Sequence, residues 1–434
     1  MSNRLYKLQY NRVVAEGRGF SWVAFFVLTV WLLSAVTTHA LAESIPGLLT
    51  LQDAERIAIN NDPLIARTKA VEESFRDKAI AANRWPDPKL TLGIANLSME
   101  TYDFEDEAMT QMIVGISQRF PGWGELKAKS GRLSELAGAT AAELQDRELR
   151  TRLAVRKAWL DMHYQYQAEQ LVKQSTEVFD QLKEITRLQY RAGRGSQRDV
   201  INAQLEKSLL RDRQTMIHTQ WLTAKAQLTK WLGASNRVEE LNTGFPDLPP
   251  PPSNQQLRGL VEQHPWLRAA QNRVTAAEKG VDYAKAQTWP EWSINLQYGQ
   301  RGAERADLGS AIINVDLPLF TGNRQDREIS ASQAELNATQ RTVDDQRRQL
   351  REQVDVQWSV YDQAGQRLSL YESNVLPEAK QNTETSLSAY QAGVIEFGIL
   401  VRARLTELNS ELQYLKLKID KAKAQVELLY LSGS

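Results

Sequence analysis

A set of short motifs occurs twice along this chain, and the repeat is the strongest constraint on what it can fold into. The matched motifs are Asp62-Pro63 with His264-Pro265, Trp85-Pro86 with Trp289-Pro290, Phe120 with Phe320, and Tyr190-Arg191-Ala192-Gly193 with Tyr390-Gln391-Ala392-Gly393. The offset between partners stays between 200 and 204 residues, so chance similarity is a poor explanation. We therefore interpret the sequence as two repeats, residues 43–244 and 254–434, joined by a proline-rich linker at 245–253.

Each repeat contains a segment that is far too long and too regular for an ordinary globular helix. No proline occurs between Pro121 and Pro246, and good helix formers dominate this interval. The predicted helices are 51–84, 123–190 and 196–232 in the first repeat, and 254–288, 323–390 and 395–431 in the second. A local irregularity is expected at Pro377. Such lengths indicate coiled-coil packing, with the two shorter helices of each repeat stacked end to end beside the long one.

A β-hairpin is predicted between the first and second helices of each repeat, at residues 89–120 and 291–320. Apolar residues alternate with small or polar ones in these segments. The apolar positions are Leu90, Leu92, Ile94, Met112, Val114, Ile116, Trp292, Ile294, Leu296, Tyr298, Ile313, Val315 and Leu317. A period of two over nine or ten residues is typical of strands that span a membrane, although hairpins on a soluble core remain an alternative. Four strands cannot close a barrel, so the membrane interpretation requires several copies of the chain.

Composition and the N-terminal segment narrow the function. Residues 1–42 combine a basic flank, an apolar run and an Ala40-Leu41-Ala42 site, which predicts a cleaved signal peptide, with a retained anchor helix as the alternative. Equal numbers of basic and acidic residues, 53 each, argue against a nucleic-acid partner. There is no cysteine, and no catalytic or cofactor-binding motif stands out. We expect neither an enzyme, nor a cofactor, nor a metal site.

Taken in order, these motifs resemble the outer-membrane efflux (TolC) family over nearly the whole mature chain. The residues that carry the resemblance are Asn61-Asp62-Pro63, Arg84-Trp85-Pro86-Asp87-Pro88, Gln118-Arg119-Phe120-Pro121, Leu319-Phe320-Thr321-Gly322, Tyr190 to Gly193 and Tyr390 to Gly393. The resemblance implies a mainly α protein with a small β part. Long coiled-coil helices would form a periplasmic α-barrel below a trimeric, 12-stranded transmembrane β-barrel, with four strands per chain. It also implies a homotrimer in the Gram-negative outer membrane, in contact with its lipid and partnered by a periplasmic adaptor protein and an inner-membrane efflux pump.

The same resemblance implies a gate and an adaptor-docking surface at the turns between the helices. The candidate residues are Tyr190, Gly193, Arg194, Arg198, Asp199, Tyr390, Gly393, Glu396 and Arg402. Asp199 lies six residues after Gly193, where family members carry a pore-facing acid. The equivalent step in the second repeat reaches Ile399, which puts a second acidic constriction in doubt. The alternative is that these charges are merely solvated at exposed helix ends, and that the two tyrosines pack between helices.

The cargo is the least constrained part of the function. The segment around Asn96-Leu97 and Met109-Thr110-Gln111 resembles the heavy-metal branch of the family, which implies export of metal cations. Five acids could gather cations at an extracellular loop or could simply hydrate it; they are Glu100, Asp103, Glu105, Asp106 and Glu107. The alternatives are a duct for organic solutes, drugs or type I protein secretion, and, in another class, a periplasmic coiled-coil adaptor or scaffold.

Overall fold

Long helices and one small antiparallel sheet make up the computed structural model, which describes residues 49–233, 244–302 and 305–434. The elements are α1 (Leu51–Asn61), α2 (Pro63–Ala82), β1 (Lys89–Ala95), β2 (Gln111–Phe120), α3 (Glu125–Arg191), α4 (Gln197–Leu232), α5 (Asn254–Leu260), α6 (Pro265–Ala286), β3 (Glu291–Arg301), β4 (Leu308–Asp316), α7 (Gln325–Leu370), α8 (Leu376–Gln391) and α9 (Phe397–Leu431). The predicted fold class, mainly α with a small β part, is confirmed. The predicted signal peptide at 1–42 lies outside the described residues.

The first helix of each repeat is interrupted, so the prediction of continuous helices at 51–84 and 254–288 was wrong. Asp62 has an extended backbone, with φ −71° and ψ 110°, and Pro63 is the first residue of α2. The residue before a proline avoids the helical region, and proline itself is well suited to the first helical position. His264 takes the same role before Pro265, after a short 3₁₀ turn at Val261–Gln263.

The long helical segments of the two repeats differ because only the second one contains a proline, Pro377. The helix α3 runs for 67 residues without interruption, which corresponds to a length of about 100 Å. In the second repeat, a π-helical turn at Tyr371–Val375 separates α7 from α8. Leu376 donates its backbone N–H to the carbonyl of Tyr371, just ahead of Pro377, which has no N–H to give. The irregularity predicted at Pro377 is therefore present.

The short helices overlap beside α3 instead of meeting end to end as expected. A single buried cluster contains Ala58 of α1, Leu228 of α4 and Trp159 of α3. The side chain of Asn61 donates a hydrogen bond of 2.9 Å to the carbonyl oxygen of Leu232, at the C-terminus of α4. The two helices therefore share the same stretch of α3 at their junction.

The two repeats pack against each other along most of the helical part. The helix α3 of the first repeat contacts α6 and α9 of the second. The buried cluster closest to the turns combines Phe179 and Leu210 from the first repeat with Phe397 and Leu400 from the second. The described residues from Leu49 onward accordingly form one compact unit.

The four strands form one sheet in the order β1-β2-β3-β4, with antiparallel neighbours throughout. Leu90 is paired with Ile116, which in turn is paired with Leu296. The register therefore places the alternating apolar residues of both hairpins on one face, as the sequence pattern predicted. These side chains are largely exposed, and β1 and β4 are edge strands with no partner on their outer side among the described residues. Separately, none of the described helices is both long enough and apolar enough to cross a lipid bilayer.

Candidate functional site at the helical turns

The turn between α3 and α4 and the turn between α8 and α9 begin with the same backbone geometry. Gly193 and Gly393 have left-handed φ angles of +71° and +74°. In the first turn, the N–H of Arg194 bonds the carbonyl of Gln189 at 2.9 Å, and in the second, Val394 bonds Ala389 at 2.9 Å. This is the pattern by which a glycine just past a helix satisfies the last carbonyl groups. The repeated Ala-Gly sequence thus ends two long helices in the same way.

The two turns differ where the next helix starts. The hydroxyl of Ser196 accepts a hydrogen bond from the N–H of Asp199 at 3.2 Å, and the Asp199 carboxylate accepts one from the N–H of Ser196 at 3.3 Å. This reciprocal pair stabilises the N-terminus of α4. The helix α9 begins after Glu396 without a side-chain cap, and Ile399 occupies the position equivalent to Asp199. Asp199 therefore has a local structural role, whatever else it does.

The two repeated tyrosines also have different surroundings. The Tyr190 side chain is half exposed, at 48%, whereas Tyr390 is buried, at 8%. Tyr390 packs against Phe397 with ring centroids 5.4 Å apart. Its hydroxyl has no hydrogen-bond partner among the described residues. Burial raises the pKa of Tyr390, and the nearby carboxylate of Asp199 raises this pKa further. The structure thus brings Asp199 of one repeat close to Tyr390 of the other.

The remaining charged candidates lie at the surface of the turns. Arg194, Arg198, Glu396 and Arg402 are all exposed. They form no ion pair with any described residue. Phe397 belongs to the motif Glu396-Phe397 of the family resemblance but was not among the candidate site residues, and it is fully buried at the start of α9. The sequence contains a feature that indicates burial at this position, because a large aromatic residue directly follows the helix cap where the first repeat has Gln197.

The acidic loop between β1 and β2 is an open surface. All five of its carboxylate residues are exposed. The loop is held through its backbone, because Arg305 of the second hairpin donates to the carbonyl oxygens of Glu105 and Glu107, at 3.2 Å and 3.1 Å. Nowhere in the described part of the chain do three His, Asp or Glu side chains lie close enough together to hold a metal ion.

We expect Gly393→Ala to lower the free energy of unfolding by about 1–2 kcal/mol, because alanine is strained at a positive φ. Gly398 is the matched control because it lies within α9 and has open space around it. The same substitution at Gly398 should raise the free energy of unfolding by about 0.5–1 kcal/mol. Chemical denaturation followed by the helical circular-dichroism signal measures both effects. Equal shifts for the two variants would contradict the role assigned to Gly393.

Comparison with known proteins agrees with this architecture. The family model described as "Outer membrane efflux protein" matches residues 56–234 and 257–434, which is most of the chain. The chain belongs to the outer membrane efflux protein family. This membership places it in the outer membrane of Gram-negative bacteria. The family's members are passive efflux channels and not enzymes.

Two curated proteins are similar to this chain over part of their length. Protein CyaE of Bordetella pertussis is 27% identical over 233 residues, covering 51% of this chain and 48% of the relative. The fusaric acid resistance protein FusA of Burkholderia cepacia is 27% identical over 253 residues, covering 54% and 47%. The chain thus spans about half the length of these relatives.

The fold as a whole is similar to that of a solved membrane protein. A membrane protein from Pseudomonas aeruginosa superposes with a TM-score of 0.78 at 15% identity, covering 88% of this chain and 92% of the other. At this identity the likeness concerns the fold alone, and it extends over most of both chains.

Proposed function

We propose that three copies of this efflux-family chain form an outer-membrane channel, which is the passive exit duct of a tripartite efflux system. The observation that carries the proposal is a four-stranded sheet with an apolar exposed face, joined to a helix, α3, that is about 100 Å long. In this arrangement an inner-membrane pump delivers the cargo, and a periplasmic adaptor protein joins pump and channel.

The sheet supports association of several copies. Unpaired backbone groups on β1 and β4 are costly in hydrocarbon, where no water can satisfy them. Pairing of β1 in one copy with β4 in the next removes both edges, and three copies give twelve strands, an even number in the range of bacterial barrels. The apolar face then contacts lipid, while Asn295 and Gln297 on the other face line the interior.

The helices support a role in the periplasm. Their length suffices to carry the channel far below the membrane, and the turns at Gly193 and Gly393 lie at the end remote from the strands. We place the gate and the surface for the adaptor at these turns. In this proposal Asp199 of one repeat and Tyr390 of the other lie near each other at the gate, with Arg194, Arg198, Glu396 and Arg402 exposed around them.

The test is to express the full chain, fractionate the membranes and measure single-channel conductance in planar bilayers. We expect heat-labile trimers in the outer membrane and a conducting pore. A monomer that stays in the periplasmic fraction without detergent would contradict the proposal and would favour the alternative of a coiled-coil adaptor or scaffold.

The apolar face of the sheet gives a sharper prediction. Val114 lies in the middle of β2 on this face, and an arginine there is expected to cost about 2–4 kcal/mol of membrane insertion. Val114→Arg should therefore strongly reduce the trimer recovered from outer membranes. The matched control is Gln297→Arg, on the opposite face of the neighbouring strand, which should assemble normally. Loss of trimer in the control alone would reverse the proposed orientation of the sheet.

For the cargo, the sequence favours heavy-metal cations, whereas the name of the Burkholderia relative refers to resistance to an organic acid. This name supports organic solutes as a second candidate. A deletion strain separates the two: lost tolerance of copper, silver, cobalt, zinc or cadmium salts supports the metal proposal. Unchanged metal tolerance together with increased sensitivity to organic acids or drugs would contradict it.

A further inference from the structure

The turns carry an excess of positive charge that is specific to the first repeat. We define the turn segments as residues 191–202 and 391–402, which begin with the last residues of α3 and α8. The first contains Arg191, Arg194 and Arg198 against Asp199, and the second contains Arg402 against Glu396. The first segment therefore has a net charge of +2 and the second a net charge of zero.

This positive charge is not neutralised locally. The three arginines of the first segment are exposed, and none of them forms an ion pair or a side-chain hydrogen bond with a described residue. The single acid of the same segment, Asp199, is already engaged with the N–H of Ser196. In the second segment the position equivalent to Asp199 is held by Ile399, so no further carboxylate compensates there.

These charges lie at the end of the long helices, where the proposed channel has its periplasmic opening. Three copies bring about +6 charges to one opening, in a region where the Debye length is about 8 Å at physiological salt. A ring of like charge raises the local concentration of counter-ions and lowers that of ions of the same sign. Solutes that enter or leave through this opening pass within reach of that potential.

We propose that the periplasmic entrance of this channel prefers anions to cations, and that Arg191, Arg194 and Arg198 determine this preference. The inference rests on the proposed channel function and specifies the class of solute that the entrance favours. Organic anions pass such an opening more readily than hydrated metal cations of equal size. The proposal thus supports the second cargo candidate over the first.

The experiment is a measurement of reversal potential for the full-length protein in planar bilayers under a gradient of KCl. The expected result for the unmodified protein is a chloride-to-potassium permeability ratio above one. The triple variant Arg191→Gln, Arg194→Gln and Arg198→Gln should lower this ratio by about threefold or more, with an effect that shrinks at high salt. A triple lysine variant at the same positions should keep the ratio, because it keeps the charge.

The matched control removes the same number of charges far from the turns. Arg327, Arg341 and Arg348 are exposed residues of α7, at least about 60 Å along the helix from Gly393, and their replacement by Gln should leave the ratio unchanged. A cation preference in the unmodified protein, or equal shifts in the two Gln variants, would overturn the inference while leaving the channel itself intact. Failure to conduct at all would instead overturn the proposed function, and this inference with it.

Discussion

Replacement of Asp62 by alanine is expected to lower the free energy of unfolding by about 2–4 kcal/mol. The carboxylate is buried, with 6% of the residue exposed, and accepts three hydrogen bonds. The donors are the Nε of Arg147 at 2.8 Å, the hydroxyl of Thr151 at 2.7 Å and the N–H of Leu64 at 2.9 Å. Alanine would remove the cap of α2 and leave Arg147 without its partner at the junction with α3. Guanidinium unfolding of the detergent-solubilised protein, followed by circular dichroism, measures the change.

Asp53 provides the matched control, since it is an acid near the start of α1 whose contacts are exposed. Its ion pair with Arg56 lies at the surface, and loss of such a pair costs at most about 1 kcal/mol. Asp62→Asn should fall between the two alanine variants because it keeps an acceptor for Leu64 but loses the charge that faces Arg147. If Asp62→Ala and Asp53→Ala were equally stable, the buried network would contribute little.

The stabilisation that the Asp62 carboxylate provides should decrease at acidic pH. Burial alone would raise the pKa of Asp62, but the hydrogen bonds from Arg147, Thr151 and Leu64 together lower this pKa below its ordinary value of 3.8. A carboxyl group with a lowered pKa stabilises the fold above its ordinary value and loses this contribution as the pH falls through its value in the folded state. The stability difference between the native chain and Asp62→Ala should therefore be constant near neutral pH and shrink below pH 3.8.

The sequence predicted the long helices and the sheet well because both follow from local patterns. Helix formers without proline specify α3, and alternation in β1 to β4 specifies which face is apolar. The break at Asp62 was not predicted, although the motif Asn61-Asp62-Pro63 contains the residues that cause it. Physically, an acid that can cap, followed by a proline that fits the first helical position, predicts the end of one helix and the start of another.

The overlap of α1 with α4 and the unequal environments of the two tyrosines could not be predicted in this way. Tyr190 and Tyr390 share a Tyr-x-Ala-Gly motif, and both lie in the last turn of a long helical segment. Their burial differs because the second turn packs beside α3 and α4 of the first repeat, and this contact joins residues about 200 positions apart. A motif that occurs in both repeats does not specify which of its two tyrosines is buried when the repeats pack together.

The largest expected effect at the turns belongs to Phe397, whose replacement by alanine should cost about 3–5 kcal/mol. The side chain is fully buried and lies in the cluster that contains Phe179 and Leu400, in contact with the ring of Tyr390. A cavity at this position would loosen the second turn, since α9 has no side-chain cap to hold its first residues. If the turns form the gate, Phe397→Ala should also increase the time that single channels spend open. Denaturation measures the first effect, and bilayer recording measures the second.

Two further variants distinguish a packing role from a general sensitivity of the turn. Val394→Ala, at a residue that is 76% exposed in the same turn, should change neither stability nor conductance. Phe397→Leu keeps an apolar side chain of similar size and should cost less than about 1.5 kcal/mol. If the buried contact between the repeats controls the gate, the increase in open time should follow the loss of stability across this series. Phe397→Ala should then differ strongly from the native protein, and Phe397→Leu should differ only slightly. An open time that changes in Val394→Ala but not in Phe397→Ala would show that the exposed surface of the turn, and not its buried aromatic contact, controls the gate.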